Sequence, residues 1–219
     1  MEERKISEKE SLELISQMIE QTKKESAIGS GDTFLIWGYL CVLCSLSVAA
    51  MTYFVGSGMW GWLYFAIPIL GLIITGFNAT RPKKNHKSLS TYSTSSIDSI
   101  WVCISGVFIA YTVWCFMDWS KSAGWSGMFL LGLLLPGIGT HCTGVIQKEK
   151  VLQLCGMLGI LDGLGFLHDL CCEGAHITIE WHITLAVSLF ITLVIPGHYL
   201  NHKSKNKIHR HARTGSITS

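Results

Sequence analysis

Charge is what this sequence has least of. Only 15% of its 219 residues are charged, against about a quarter in a soluble domain. The charges that exist avoid the long apolar runs. They gather in the first 25 residues, in short basic patches between the runs, and in the tail. That distribution argues against a water-soluble globular domain. A cleavable signal peptide is also missing: the first apolar run begins near Thr33, after a long polar stretch, and reads as a retained span. A disulfide framework is excluded as well. Cys41, Cys44, Cys103, Cys115, Cys142 and Cys155 lie inside apolar runs, where they act as small packing residues. Only Cys171 and Cys172 fall in a loop, and no zinc-finger spacing appears. Neither a nucleophile elbow, a P-loop nor an H-E-x-x-H helix is present. The many glycines sit in spans and turns, outside any phosphate-binding strand–loop–helix context.

What is present is a series of apolar stretches of bilayer-crossing length. They predict an all-α integral membrane protein with six transmembrane helices: Thr33–Val55, Met59–Asn78, Ser99–Trp119, Trp125–Ile146, Val151–Leu170 and Glu180–Leu200. Residues 1–30 read as a cytosolic amphipathic N-terminal helix, residues 31–200 as the six-helix transmembrane domain, and residues 201–219 as a basic cytosolic tail. Sixteen of the seventeen Lys and Arg residues fall on one side of the spans, and Lys121 alone on the other. The positive-inside rule then places both termini in the cytosol. Aromatic belts agree, with Trp60, Trp62, Trp119, Trp125 and Trp181 outside and Trp37, Tyr39, Trp101 and Tyr199 inside. The spans group as three helical hairpins. Their return helices carry Ile67-Pro68, Leu135-Pro136-Gly137 and Ile195-Pro196-Gly197, and the second of these predicts a kink. A serine-rich stretch, residues 88–96, reads as a solvated linker that ends in a helix cap.

Three constellations are candidates for chemistry. Asp162 lies mid-span in VLQLCGMLGILDGLGFLHDL, where an acid costs about 2.5–3.5 kcal/mol to insert. It is a candidate ion, proton or ligand site, with Thr140 and His141 on span four, or Asn78, as partners. The other reading is an acid that ties two helices together. Gly156, Gly159, Gly163 and Gly165 around it let helices approach closely, within the chain or between copies.

The second constellation is an outer one: His168, Asp169, Cys171, Cys172, Glu173, His176, Glu180 and His182. Its thiols, imidazoles and carboxylates suit zinc or copper. His168, Cys172 and His176 follow at intervals of four and would align on one helix face, although Gly174 interrupts. The competing reading is a polar loop. The third is cytosolic. Ser7-Glu8-Lys9-Glu10 fits a capping box, and Leu12, Ile15, Met18 and Ile19 then share one helical face. That face either docks on the bundle and headgroups or meets a protein partner. Cys41 and Cys44 form C-x-x-C in mid-span, which reads as packing. The tail, His202 to Arg213, suits anionic headgroups or solvent; no aromatic interleaving supports nucleic-acid binding.

Several stretches also look familiar together. They are Ile6-Ser7-Glu8-Lys9-Glu10-Ser11-Leu12 with Ile15 and Met18-Ile19, Gly31-Asp32-Thr33-Phe34-Leu35-Ile36-Trp37-Gly38-Tyr39, and Trp60-Gly61-Trp62-Leu63-Tyr64-Phe65. Gly137-Ile138-Gly139-Thr140 with Thr143-Gly144-Val145-Ile146, and Ile195-Pro196-Gly197, complete the set. In that order they resemble a bacterial family of small six-span inner-membrane proteins of unknown function. The resemblance implies a prokaryotic cytoplasmic membrane and supplies no activity, cofactor or catalytic residue. The functional expectation is a non-enzymatic membrane component acting through a partner, or as a structural or sensory element, in contact with the lipid bilayer and with a protein partner or a second copy. The alternative is a small transporter or ligand-binding bundle around Asp162.

Overall fold

The computed structural model describes residues 30–56, 58–80, 92–117, 123–173 and 177–215. The N-terminal face of Leu12, Ile15, Met18 and Ile19, and His176 of the outer set, lie outside these residues. Every regular element among the described residues is helical. The elements are α1 (Ser30–Val55), a 3-10 segment (Gly58–Phe65) leading into α2 (Ala66–Thr80), α3 (Tyr92–Met117), α4 (Ala123–Gln147) and α5 (Lys150–Glu173). Then come α6 (Ile179–Leu189), a π turn (Phe190–Val194) and α7 (Ile195–Gly215).

Five helical stretches are long and apolar enough to cross a membrane: Gly31–Val55, Ser93–Met117, Trp125–Gln147, Lys150–Cys172 and Ile179–Asn206. The last joins α6, the π turn and the start of α7. This architecture is compatible with a polytopic membrane protein. The second expected span differs in form, its apolar helix Trp60–Ile74 being shorter than the others. Pro68 gives the reason. In one continuous α-helix it would leave the Tyr64 carbonyl without a donor. The chain instead winds as a tighter helix up to Phe65 and begins α2 at Ala66, which puts Pro68 in a first turn, where no N–H is needed. The 3-10 segment and α2 together rise about 38 Å, enough for a 30 Å hydrocarbon core.

The stretch expected as a serine linker is also shorter than its composition suggests. Tyr92–Ser96 already belongs to α3, and Ser99 turns its hydroxyl back to the Ser95 carbonyl at 2.8 Å. α4 runs through Pro136 as a single helix. Between α4 and α5 the chain reverses in a tight turn. Lys148 takes a left-handed φ of 57°, its N–H reaches the Val145 carbonyl at 3.2 Å, and the Glu149 N–H reaches Gly144 at 2.8 Å. Those two bonds close the helix end in a Schellman arrangement, with lysine at a place that usually takes glycine.

The closest pair in the bundle is α4 and α5. Glycine permits the approach. A methyl group added to Gly137 would stand 2.8 Å from the Ile160 nitrogen and 2.9 Å from the Gly156 carbonyl oxygen. One added to Gly144 would stand 2.7 Å from the Gln153 nitrogen. Backbone therefore meets backbone, as in small-residue packing between membrane helices. These glycine faces are occupied within one chain. α1 closes against α6, the π turn and α7, so the first and last spans are neighbours. The last span is the most buried, with 56% of its most apolar window covered, whereas α3 rests chiefly on α4 and has 6% covered. The core gathers Phe34, Phe129, Leu133, Leu152, Phe166, Leu185, Leu189 and Leu193. Outward apolar side chains such as Val102, Ile109 and Trp114 on α3 remain exposed, as lipid contact requires.

Candidate functional site: polar layers within and below the bundle

The π turn organises the middle of the bundle. The Ile195 N–H donates to the Phe190 carbonyl, five residues back, and the following residue, Pro196, has no N–H to give to the Thr192 carbonyl. That carbonyl loses the donor that an α-helix would give it in an apolar interior. Thr140 on α4 repairs this: its hydroxyl donates to the Thr192 carbonyl oxygen at 3.0 Å, with both residues fully buried. Thr192 in turn donates its own hydroxyl to Ser188 at 2.8 Å. Small residues make room on both flanks, Gly159 against Thr192 and Gly38 against Leu193 and Val194.

The partners expected for Asp162 are engaged elsewhere. Thr140 serves the π turn. His141 Nδ1 lies 3.0 Å from the Gln153 carbonyl oxygen; a carbonyl only accepts, so Nδ1 carries the proton. Gln153 then donates from its side-chain amide to the Gly144 carbonyl at 3.1 Å. Asp162 is half-buried, one residue before Gly163, which packs on Leu134. No hydrogen bond or ion pair joins it to Thr140 or His141. Asn78 lies near the end of α2, and its side chain is outside the description.

The outer constellation separates in the same way. His168 and Cys172 share the exposed face of the last turns of α5, with Cys172 Sγ 3.7 Å from His168 Nε2, and His168 Nδ1 3.4 Å from Asp169 Oδ1. His182 turns inward instead and is 7% exposed. Among the described residues no three ligand-type side chains converge on one point.

His182 belongs to a polar contact that no sequence spacing announces. Its Nδ1 is 2.8 Å from the Tyr64 hydroxyl, with the two rings stacked at 5.8 Å and the ring of Phe129 crossing the imidazole at 5.7 Å. On α1, Ser45 is fully buried and donates to the Cys41 carbonyl at 2.9 Å, and the Cys44 thiol donates to the Leu63 carbonyl at 3.1 Å. These bonds tie the 3-10 segment to α6 on one side and to α1 on the other.

A second polar layer lies at the end of the bundle where α1 begins. Asn201 on α7 donates to Asp32 Oδ1 at 2.6 Å. One turn or two further in, the Tyr39 hydroxyl is 2.7 Å from His198 Nε2. At the α4–α5 turn, Glu149 accepts from Tyr199 at 3.0 Å on one oxygen and pairs with Lys203 on the other. The Lys203 ammonium also sits 5.9 Å from the Tyr199 ring centroid. The start of α1, the α4–α5 turn and the exit of α7 are thereby joined at one end. Glu149 and Asp32 stand in the sequence as ordinary charges at span ends; their partners lie 50 or more residues away, which hides the layer from local patterns.

No family model, no curated protein and no solved structure matches this chain.

Proposed function

We propose that the chain is a six-pass protein of a bacterial inner (cytoplasmic) membrane, built as three hairpins with both termini in the cytosol. In this reading it acts without enzymatic chemistry, through a protein partner or as a structural or sensory component. The partner contact is the face of Leu12, Ile15, Met18 and Ile19. The observation that carries the reading is the bond between Asp32 and Asn201. It holds the exit of the N-terminal segment against the exit of the basic tail, beside the Glu149–Lys203 pair. Both cytosolic elements then leave the membrane from one rigid point and can be presented together.

Transport through a cavity at Asp162 is the second reading, favoured by a mid-helix acid without a bond to Thr140 or His141. Thiol labelling separates the two. Asp162→Cys, in a chain whose eight native cysteines are replaced, is treated with a membrane-impermeant reagent from each side. The expected result is no labelling from either side. Labelling would mean that water reaches mid-bilayer and would move transport ahead. In parallel, removal of residues 1–25 is expected to abolish recovery of a membrane or cytosolic partner after crosslinking in cells, and Asp162→Asn to leave it unchanged.

A further inference from the structure

The last turns of α5 carry two metal-type donors on open surface. His168 and Cys172 are four residues apart on one helix, so they share a face. Cys172 Sγ stands 3.7 Å from His168 Nε2. In a tetrahedral zinc site the Zn–N bond is about 2.0–2.1 Å and the Zn–S bond about 2.3 Å, which sets the nitrogen and sulfur about 3.6 Å apart. The two donors already hold the spacing that an ion between them requires. We propose that His168 Nε2 and Cys172 Sγ chelate a divalent cation of the zinc class, with Asp169 orienting the imidazole.

Asp169 prepares the histidine for this role. Its Oδ1 is 3.4 Å from His168 Nδ1. A carboxylate only accepts, so Nδ1 carries the proton and the Nε2 lone pair is left free on the side of the thiol. A carboxylate behind a histidine is the usual means of fixing the tautomer and direction of a coordinating imidazole. Without an ion, the thiol hydrogen lies between Sγ and Nε2. The ion takes its place: the S–H bond breaks, the proton leaves to solvent, and the thiolate and Nε2 each give a lone pair to the metal. The pair closes the membrane-crossing stretch Lys150–Cys172, and the His168 side chain is 76% exposed, so a hydrated ion can reach it. Cys171 projects about 100° away around the helix, and His182 faces inward; neither shares the pair's face. A thiolate with an imidazole suits zinc and rejects magnesium and calcium. Two protein donors leave the remaining positions to water, so the ion exchanges readily, unlike one in a closed structural centre. The site uses neither the N-terminal segment nor Asp162 and stands apart from the partner reading.

Cobalt(II) is the probe, because a thiolate bound to it gives an ultraviolet charge-transfer band that histidines alone cannot give. The purified full chain, reduced and in detergent, is titrated with cobalt. The expected result is a saturable thiolate band that zinc removes and magnesium does not. Cys172→Ser should abolish the band, and Cys171→Ser should leave it. Asp169→Ala should weaken binding by about 10–100-fold, and His168→Ala by at least as much. Asp169→Asn keeps an oxygen that accepts from Nδ1 and should lose less than Asp169→Ala, which a general loss of structure would not reproduce. All four positions lie on the surface of the last turns of α5, so each variant should keep the parent's elution volume. Absence of the band, a band that survives Cys172→Ser, or binding indifferent to His168→Ala would overturn the site. Unchanged binding in Asp169→Ala would overturn the orienting role of the carboxylate.

Discussion

Gly156→Leu is expected to destroy the bundle, whereas Gly165→Leu on the same helix should fold like the parent. At Gly156 a single added carbon would meet the His141 backbone and stand 2.6 Å from the Gly137 carbonyl oxygen. Those atoms belong to the facing helix and cannot rotate away, so α4 and α5 must separate along their whole length. Ordinary overpacking costs about 1–3 kcal/mol; backbone obstacles put this site at the upper end or beyond it. At Gly165 nothing lies within 4 Å of an added carbon, and the larger side chain meets lipid. The change there should stay within about 0.5 kcal/mol. Thermal unfolding followed by size exclusion in detergent reads the contrast: loss of the folded peak for one variant, an unshifted transition for the other. Equal behaviour of the two would mean that α4 and α5 do not pack through this face.

Thr140→Val should be the most costly single-atom change in the interior. Hydrogen bonds between membrane helices are often modest, averaging about 0.6 kcal/mol in double-mutant cycles. The receiving carbonyl there usually keeps its own helical donor. The Thr192 carbonyl has no donor at Pro196, and removal of the Thr140 hydroxyl takes away its side-chain donor at a fully buried position. A buried acceptor without a partner costs about 1–3 kcal/mol. Thr140→Ser keeps the donor and should lose little. Pro196→Ala restores a backbone N–H, so the penalty of Thr140→Val should shrink in that background. Unfolding free energies of the four-member cycle measure this coupling; additive effects would show that the hydroxyl does not serve the carbonyl.

Long-range pairing set the limit of what the sequence made legible. The apolar runs located the helices, because bilayer length and composition act locally. Gly156, Gly159, Gly163 and Gly165 announced close helix approach, and the structure uses Gly156 and Gly163 against α4 and Gly159 against the π turn, while Gly165 faces open space. Which helices would meet was not legible, since a glycine face fits any neighbour. The polar sites failed for the same reason. Thr140 and His141 stand adjacent to one another on α4, yet the first serves the π turn and the second serves α5. Tyr64 and His182 are separated by 118 residues; a tyrosine in an aromatic cluster and a histidine after a loop gave no sign of each other. Pro196 did carry a signal. A proline beyond the first turn of a helix strips one carbonyl of its α-helical donor, and a buried threonine on another span is a natural replacement.

The closure of α1 against the last span has a consequence for biosynthesis. α1 leaves the ribosome before the other helices described, but the surfaces that cover Gly31 and Gly38 are made more than 150 residues later. Throughout translation that face waits in the bilayer uncovered, while α4 and α5, joined by the turn at Lys148, can associate as soon as both have emerged. A nascent chain stalled before Ile179 would thus hold a finished hairpin beside an orphaned first helix. Membrane proteases and insertion chaperones would meet the molecule in that form, and the arrival of α7 marks the moment at which it escapes them.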